Sequence, residues 1–229
     1  LSLLPNRQFL ELIMLNEAAY TNHHCPVCKG THSEYMEKYS HMLQKCDSCG
    51  FIFVKDIPSD ADLAASYLQG YVPENTEFVP KNSMTRRLKY WAFSKWIQVL
   101  CRNSEPIKTL EIGCNEGTFL DIVKNNPRFE ASGIDICEKP LEYARNQGFD
   151  VTFSDVESMK YPDNSFDFVF AIHVMEHVQN PERMVAEIQR ILKPGGYYFA
   201  VMPCISHIKA RLAGWNWHYL SPPQHLWYY

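Results

Sequence analysis

The chain has 229 residues, 46% of them hydrophobic, and a formal net charge of −4. That length suits one large domain with a sizeable core plus a small one, and the acidic balance speaks against a nucleic-acid binder or a membrane-surface protein. No apolar run approaches the ~20 residues of a membrane span, and Pro5, Asn6 and Arg7 fall where a signal peptide needs an unbroken apolar core.

In chain order, residues 6–20 predict a short helix with Phe9, Leu12, Ile13 and Tyr20 roughly on one face. Residues 21–56 hold two knuckles, Cys25-Pro-Val-Cys28 and Cys46-Asp-Ser-Cys49, with 17 residues between them. Four thiolates in this spacing suit one tetrahedral zinc, and a site closed by four protein ligands is structural rather than catalytic. A disulfide framework would come with a secretory signal, and a redox pair would be single and set in a βαβ context. Cys101, Cys114, Cys137 and Cys204 are scattered and read as free thiols, which points to a reducing cytoplasm.

Residues 57–80 read as a linker, with Pro58, Pro73 and Pro80 and a helical piece at Asp60–Leu68. Residues 81–103 predict an amphipathic helix that turns Met84, Leu88, Trp91, Trp96 and Val99 to the core. Arg86, Arg87, Lys89 and Lys95 would then form a basic side, solvated or, as the alternative, in contact with a phosphate-bearing substrate.

From Ile107 the pattern alternates strand and helix. The apolar strand Ile107–Ile112 runs into Gly113-Cys-Asn-Glu-Gly117, and a helix opens at Thr118. Glycines there let the backbone pass close to a ligand and take φ > 0. Ala131–Asp135 ends in an acid about 20 residues past the glycines, where a carboxylate can hold both hydroxyls of a ribose. Val151–Asp155 ends in a second acid. Phe166–Ile172 is a nearly continuous apolar run, as in a strand buried on both faces. It leads to His173-Val-Met-Glu-His177, a helix Pro181–Leu192, Lys193-Pro-Gly-Gly196 and a strand Tyr197–Met202.

Glu111-Ile-Gly-Cys-Asn-Glu-Gly117, Gly133-Ile-Asp135, Ser154-Asp155-Val156, Met175-Glu-His177, Asn180-Pro181 and Leu192-Lys-Pro-Gly-Gly196 together resemble the class I S-adenosylmethionine-dependent methyltransferases. The resemblance covers roughly residues 80–229. It implies an α/β fold, a Rossmann-like doubly wound parallel sheet spanning residues 81–229, beside a small N-terminal zinc ribbon. It implies that Glu111 and Gly113 face the methionine part of the cofactor, with Asn115 and Gly117 completing the turn. Asn115 stands where the family usually has a glycine, and Asn tolerates left-handed backbone angles. Asp135 would hold the ribose diol, Ile136 would pack on adenine, and Asp155, beside Val156, would meet the adenine amino group. A helix cap is the alternative for Asp155.

The two antiparallel strands that normally close this core have no counterpart before Tyr229, so the chain reads as a fragment or as the front of a longer protein. The aromatic tail Trp215–Tyr229 is then expected across the acceptor mouth, poorly ordered. Methyl transfer is a direct displacement, and His173, His177, His218 and His225 are the candidate bases, with Tyr219 and Glu176 behind them. His173, Glu176 and His177 also spell H-x-x-E-H, but that peptidase signature belongs on a helix, and here it follows a buried strand.

The four-cysteine ribbon joined to such a domain resembles bacterial zinc-containing methyltransferases of sugars, often nucleotide-linked, in natural-product or cell-surface glycan pathways. That implies a small-molecule acceptor and no membrane or nucleic-acid partner. Two alternatives stand beside it: an RNA base methyltransferase with a zinc ribbon, marked by salt-dependent RNA binding, and a non-catalytic module that holds cofactor or partner without turnover.

Overall fold

The computed structural model describes residues 24–59, 62–63, 78, 80 and 83–229. The helix expected at residues 6–20 lies outside them, as does most of the expected linker. Of its helical piece at Asp60–Leu68 only Asp62 and Leu63 are described, both helical. No helix among the described residues is long and apolar enough to cross a membrane.

The chain divides into two compact units: Leu1–Ser66 with Glu176–Glu182 and Met202–Tyr229, and Tyr67–Met175 with Arg183–Val201. This departs from the single stretch 81–229 expected for the second domain. Residues 176–182 and 202–229 are built into the unit that carries the cysteine knuckles.

The second unit is a parallel sheet. Its strands are β4 (Ile107–Ile112), β5 (Phe129–Asp135), β6 (Val151–Phe153), β7 (Phe166–Ile172) and β8 (Leu192–Val201), in spatial order β6-β5-β4-β7-β8. Helices α1 (Met84–Leu100), α2 (Thr118–Val123), α3 (Glu138–Asn146) and α4 (Pro181–Ile191) accompany it. The chain walks outward from β4 to β6 and then returns to β7 on the other side. The order therefore reverses between β4 and β7, where open α/β sheets bind ligands beyond their strand C-termini. Lys193–Gly196 is absorbed as an irregularity in β8, between the pairs Phe166↔Leu192 and Phe168↔Tyr197.

Helix α1 packs with a different face from the one expected. Met84, Leu88, Trp91 and Val99 are exposed, while Tyr90, Ser94 and Ile97 are buried. Phe93 lies between α1 and the sheet, 5.1 Å from Phe170 and 4.9 Å from Phe199 between ring centroids. Large apolar residues occur on both sides of this helix, so periodicity alone supports two phases. The ring-rich sheet selects the one that brings Phe93 and Trp96 onto Phe168 and Phe199.

The first unit is an antiparallel sheet of β1 (His32–Lys38), β2 (His41–Cys46), β3 (Ile52–Val54) and β9 (Trp227–Tyr228), in that order. Helix α5 (Ile208–Ala213) belongs to the same unit. The tail expected to be loosely ordered supplies the fourth strand: Phe53 pairs with Trp227 and Ile52 with Tyr228. Leu226, Trp227 and Tyr228 are buried with Leu43, Ile52 and Val54. Aromatic residues, which favour pleated and half-buried surfaces, complete a core that three short strands could not close alone. The Trp227 indole N–H donates to the Val178 carbonyl at 2.7 Å. Trp227→Phe should therefore cost about 2 kcal/mol through the orphaned carbonyl and the small cavity left behind. Urea unfolding would show this as a lower midpoint at unchanged slope.

Candidate functional site

Beyond β4 the backbone turns over the end of β5. The N–H groups of Gly113 and Cys114 both donate to the Ile134 carbonyl, at 2.8 and 3.1 Å. Gly113 and Gly117 have φ of 76° and 75°. A Cβ on Gly113 would sit 2.5 Å from Val174 Cγ2, and one on Gly117 2.7 Å from a Phe149 ring carbon, so only glycine fits. Asn115 takes a φ of 54° in the left-handed region. Its N–H donates to Asp135 Oδ2 at 2.8 Å, while Oδ1 accepts from the Cys137 N–H at 2.9 Å. Asp135 is thus buried and held by two backbone donors, and each oxygen keeps acceptor capacity for a further hydrogen. Burial raises its pKa, against the pull of those N–H groups.

Glu111 is buried beside this turn. The Tyr90 hydroxyl donates to Oε1 at 3.0 Å, but Oε2 is buried without a hydrogen-bond partner. Burial pushes its carboxyl up to about 8. Asn115 Oδ1 is likewise buried and unpaired. Two unsatisfied acceptors so near the strand end call for a ligand that brings donors.

Arg86 and Arg87, expected on a solvated side of α1, instead donate to carboxylates of the turn and α2: Arg86 to Glu116 and Arg87 to Asp121, each at 2.6 Å. Thr118 Oγ1 also donates to Glu116. Tyr90 and Arg86 carry no motif, and Glu116 lies within the turn motif without an assigned role there; only their contacts reveal all three.

Ile136, beyond β5, is half exposed, and Val156 is buried. Asp155 accepts hydrogen bonds locally. Its Oδ1 accepts from the Ser158 N–H at 2.7 Å and its Oδ2 from the Ser158 hydroxyl at 2.8 Å. These bonds anchor the turn that follows, where no helix starts, and each oxygen keeps acceptor capacity for a further hydrogen.

The candidate bases fall in different units. His173 is exposed at the end of β7, with φ 57° and its N–H donating to the Val201 carbonyl at 2.7 Å. His177 and His225 belong to the other unit, with ring centroids 4.7 Å apart.

In the first unit Cys25, Cys28, Cys46 and Cys49 form one cluster. Cys25 and Cys49 sulfurs lie 3.7 Å apart, and those of Cys28 and Cys46 3.4 Å. A tetrahedral ion with metal–sulfur bonds of ~2.3 Å needs sulfurs about 3.8 Å apart, so the set fits. The N–H groups of Ser48 and Cys49 point at Cys46 Sγ, both at 3.4 Å. Burial works against the Cys46 thiolate, but these donors hold its pKa below the usual thiol value, whereas burial raises that of Cys25.

Among curated proteins, sterol 24-C-methyltransferase erg6 of Aspergillus fumigatus is 35% identical over 41% of this chain and 27% of its own length. Ajmaline N-methyltransferase of Rauvolfia serpentina is 31% identical over 48% and 39%. Probable tRNA methyltransferase 9B of Mus musculus is 34% identical over 38% and 19%. The chain thus spans less than half the length of these relatives. A solved structure of the plantazolicin methyltransferase BpumL with SAH is similar at 19% identity and a TM-score of 0.49, over 69% of this chain and 58% of that one. The methyltransferase domain family matches residues 84–229. On that match the chain belongs to the methyltransferase domain family, and the parallel sheet and glycine turn described above accord with it.

Proposed function

We propose that this chain is an S-adenosylmethionine-dependent methyltransferase of small molecules, with a structural zinc in its four-cysteine cluster. The observation that carries the reading is the pair of unpartnered buried acceptors, Glu111 Oε2 and Asn115 Oδ1, at the end of β4. An amino-acid ammonium supplies the missing donors, and the remaining capacity of Asp135 suits a ribose diol. Bound S-adenosylmethionine brings an electrophilic methyl group on a sulfonium. The chain contributes alignment and a proton acceptor. His173 is the base we assign, because it follows β7 on the far side of the strand-order reversal from Gly113.

For the acceptor we propose a sugar or nucleotide-linked sugar, supported by the joining of a four-cysteine ribbon to this domain. A second reading, RNA base methylation, draws on the likeness to a tRNA methyltransferase, and RNA binding that weakens steeply with salt would favour it.

Calorimetric titration with S-adenosylmethionine and S-adenosylhomocysteine tests the cofactor assignment. Micromolar binding of both is expected, weakened at least tenfold in Asp135→Ala. Near-wild-type affinity in that variant would overturn the ribose assignment.

A further inference from the structure

Glu176, His177 and His225 bring one carboxylate oxygen and two ring nitrogens to within 4.8 Å of one another. All three belong to the unit that carries the cysteine cluster. Three bonds of 2.7 Å clamp the two segments that supply them: Leu226 N–H to the Glu176 carbonyl, Trp227 Nε1–H to the Val178 carbonyl, and His177 Nδ1 to the Gln224 carbonyl. A carbonyl only accepts, so His177 Nδ1 carries the proton and, in the neutral ring, Nε2 keeps the lone pair. This is how histidines are oriented for metal: a carbonyl behind the ring fixes the tautomer and raises the basicity of the other nitrogen.

Glu176 has no solvent exposure and His225 only 9%. One oxygen with two imidazole nitrogens is a poor set for magnesium or calcium, which need oxygen shells, and a good one for borderline transition cations.

We propose that Glu176, His177 and His225 bind a zinc-class divalent cation, distinct from the ion of the four cysteines. Three protein ligands leave a coordination position open to an oxygen donor, unlike the closed cysteine site. The site requires no methyl donor, so it stands or falls apart from the methyl-transfer reading.

The test is to reconstitute metal-free protein with Co2+, following metal content and absorption. The cysteine cluster announces itself by intense thiolate-to-metal bands, while a nitrogen–oxygen site gives only weak d–d bands. Two ions per chain are expected in the wild type. Glu176→Gln, which keeps the side-chain shape, and His177→Gln, at a half-buried position, should each bind one ion with the thiolate bands intact. Those bands also report that the unit has folded. One ion per chain in the wild type, or two ions in both variants, would overturn the proposal.

Discussion

Chelating the zinc proposed at Cys25, Cys28, Cys46 and Cys49 is expected to unfold the unit built on β1, β2, β3 and β9. Binding of a structural zinc contributes on the order of 10 kcal/mol, comparable to the whole stability of a small domain. The apolar core beneath the knuckles is small, with Leu43, Ile52, Phe53 and Val54 closed by the residues around Trp227. Such a core rarely holds without a staple. Trp217 and Trp227 are both buried in this unit, so chelation should shift their fluorescence toward that of solvated indole. Cys25→Ser with Cys28→Ser should give the same result without chelator. Unchanged metal content and melting temperature in that double variant would refute the cysteine site.

Cofactor binding is expected to expel a proton from Glu111. Burial holds this carboxyl at about 8 in the empty protein, so at pH 7 roughly nine in ten are protonated. An ammonium placed against Oε2 favours the ionised form, and nearly one proton per cofactor should leave at pH 7, falling to none by about pH 10. Titrations in buffers of different ionisation enthalpy measure this directly. Glu111→Gln should abolish the release and weaken binding about a hundredfold, or ~2.7 kcal/mol. Proton release that survives the substitution would assign it to another group. The sign for stability is opposite. Because the folded pKa lies above the unfolded one, the empty wild type binds more protons folded than unfolded between about pH 4.5 and 8, and loses stability as pH rises through that window. Glu111→Gln should therefore raise the melting temperature of the empty protein at pH 8 while impairing its ligand.

The sheet was legible because its signals are local and chemical. A strand ending in Gly113, acids at the ends of successive strands and an apolar run from Phe166 to Ile172 each follow from backbone geometry at one place in the chain. The four cysteines were legible for the same reason. What escaped depends on distance or on a choice between faces. Helix α1 offers Leu88 and Trp91 as readily as Tyr90 and Phe93, and only the rings of β7 and β8 decide. The strand Trp227–Tyr228 is two residues long, and its partner β3 lies at the other end of the sequence, so no periodicity announces it. Asp155 shows the limit of pattern at a site: its oxygens accept from Ser158, three residues on, a local bond that no strand-end motif announces.

The pairing of β3 with β9 also dictates an order of events during synthesis. The knuckles emerge early, yet their fourth strand leaves the ribosome only after the whole five-stranded sheet has been made. At ~5–20 residues per second the outer edge of Ile52–Val54 waits on the order of ten to thirty seconds for its partner. An unpaired apolar edge is a template for wrong pairing, so the nascent chain is vulnerable at β3 until Trp227 and Tyr228 emerge. Moving residues 202–229 ahead of the knuckles by circular permutation would shorten that wait to a few seconds and leave the native contacts of the unit unchanged.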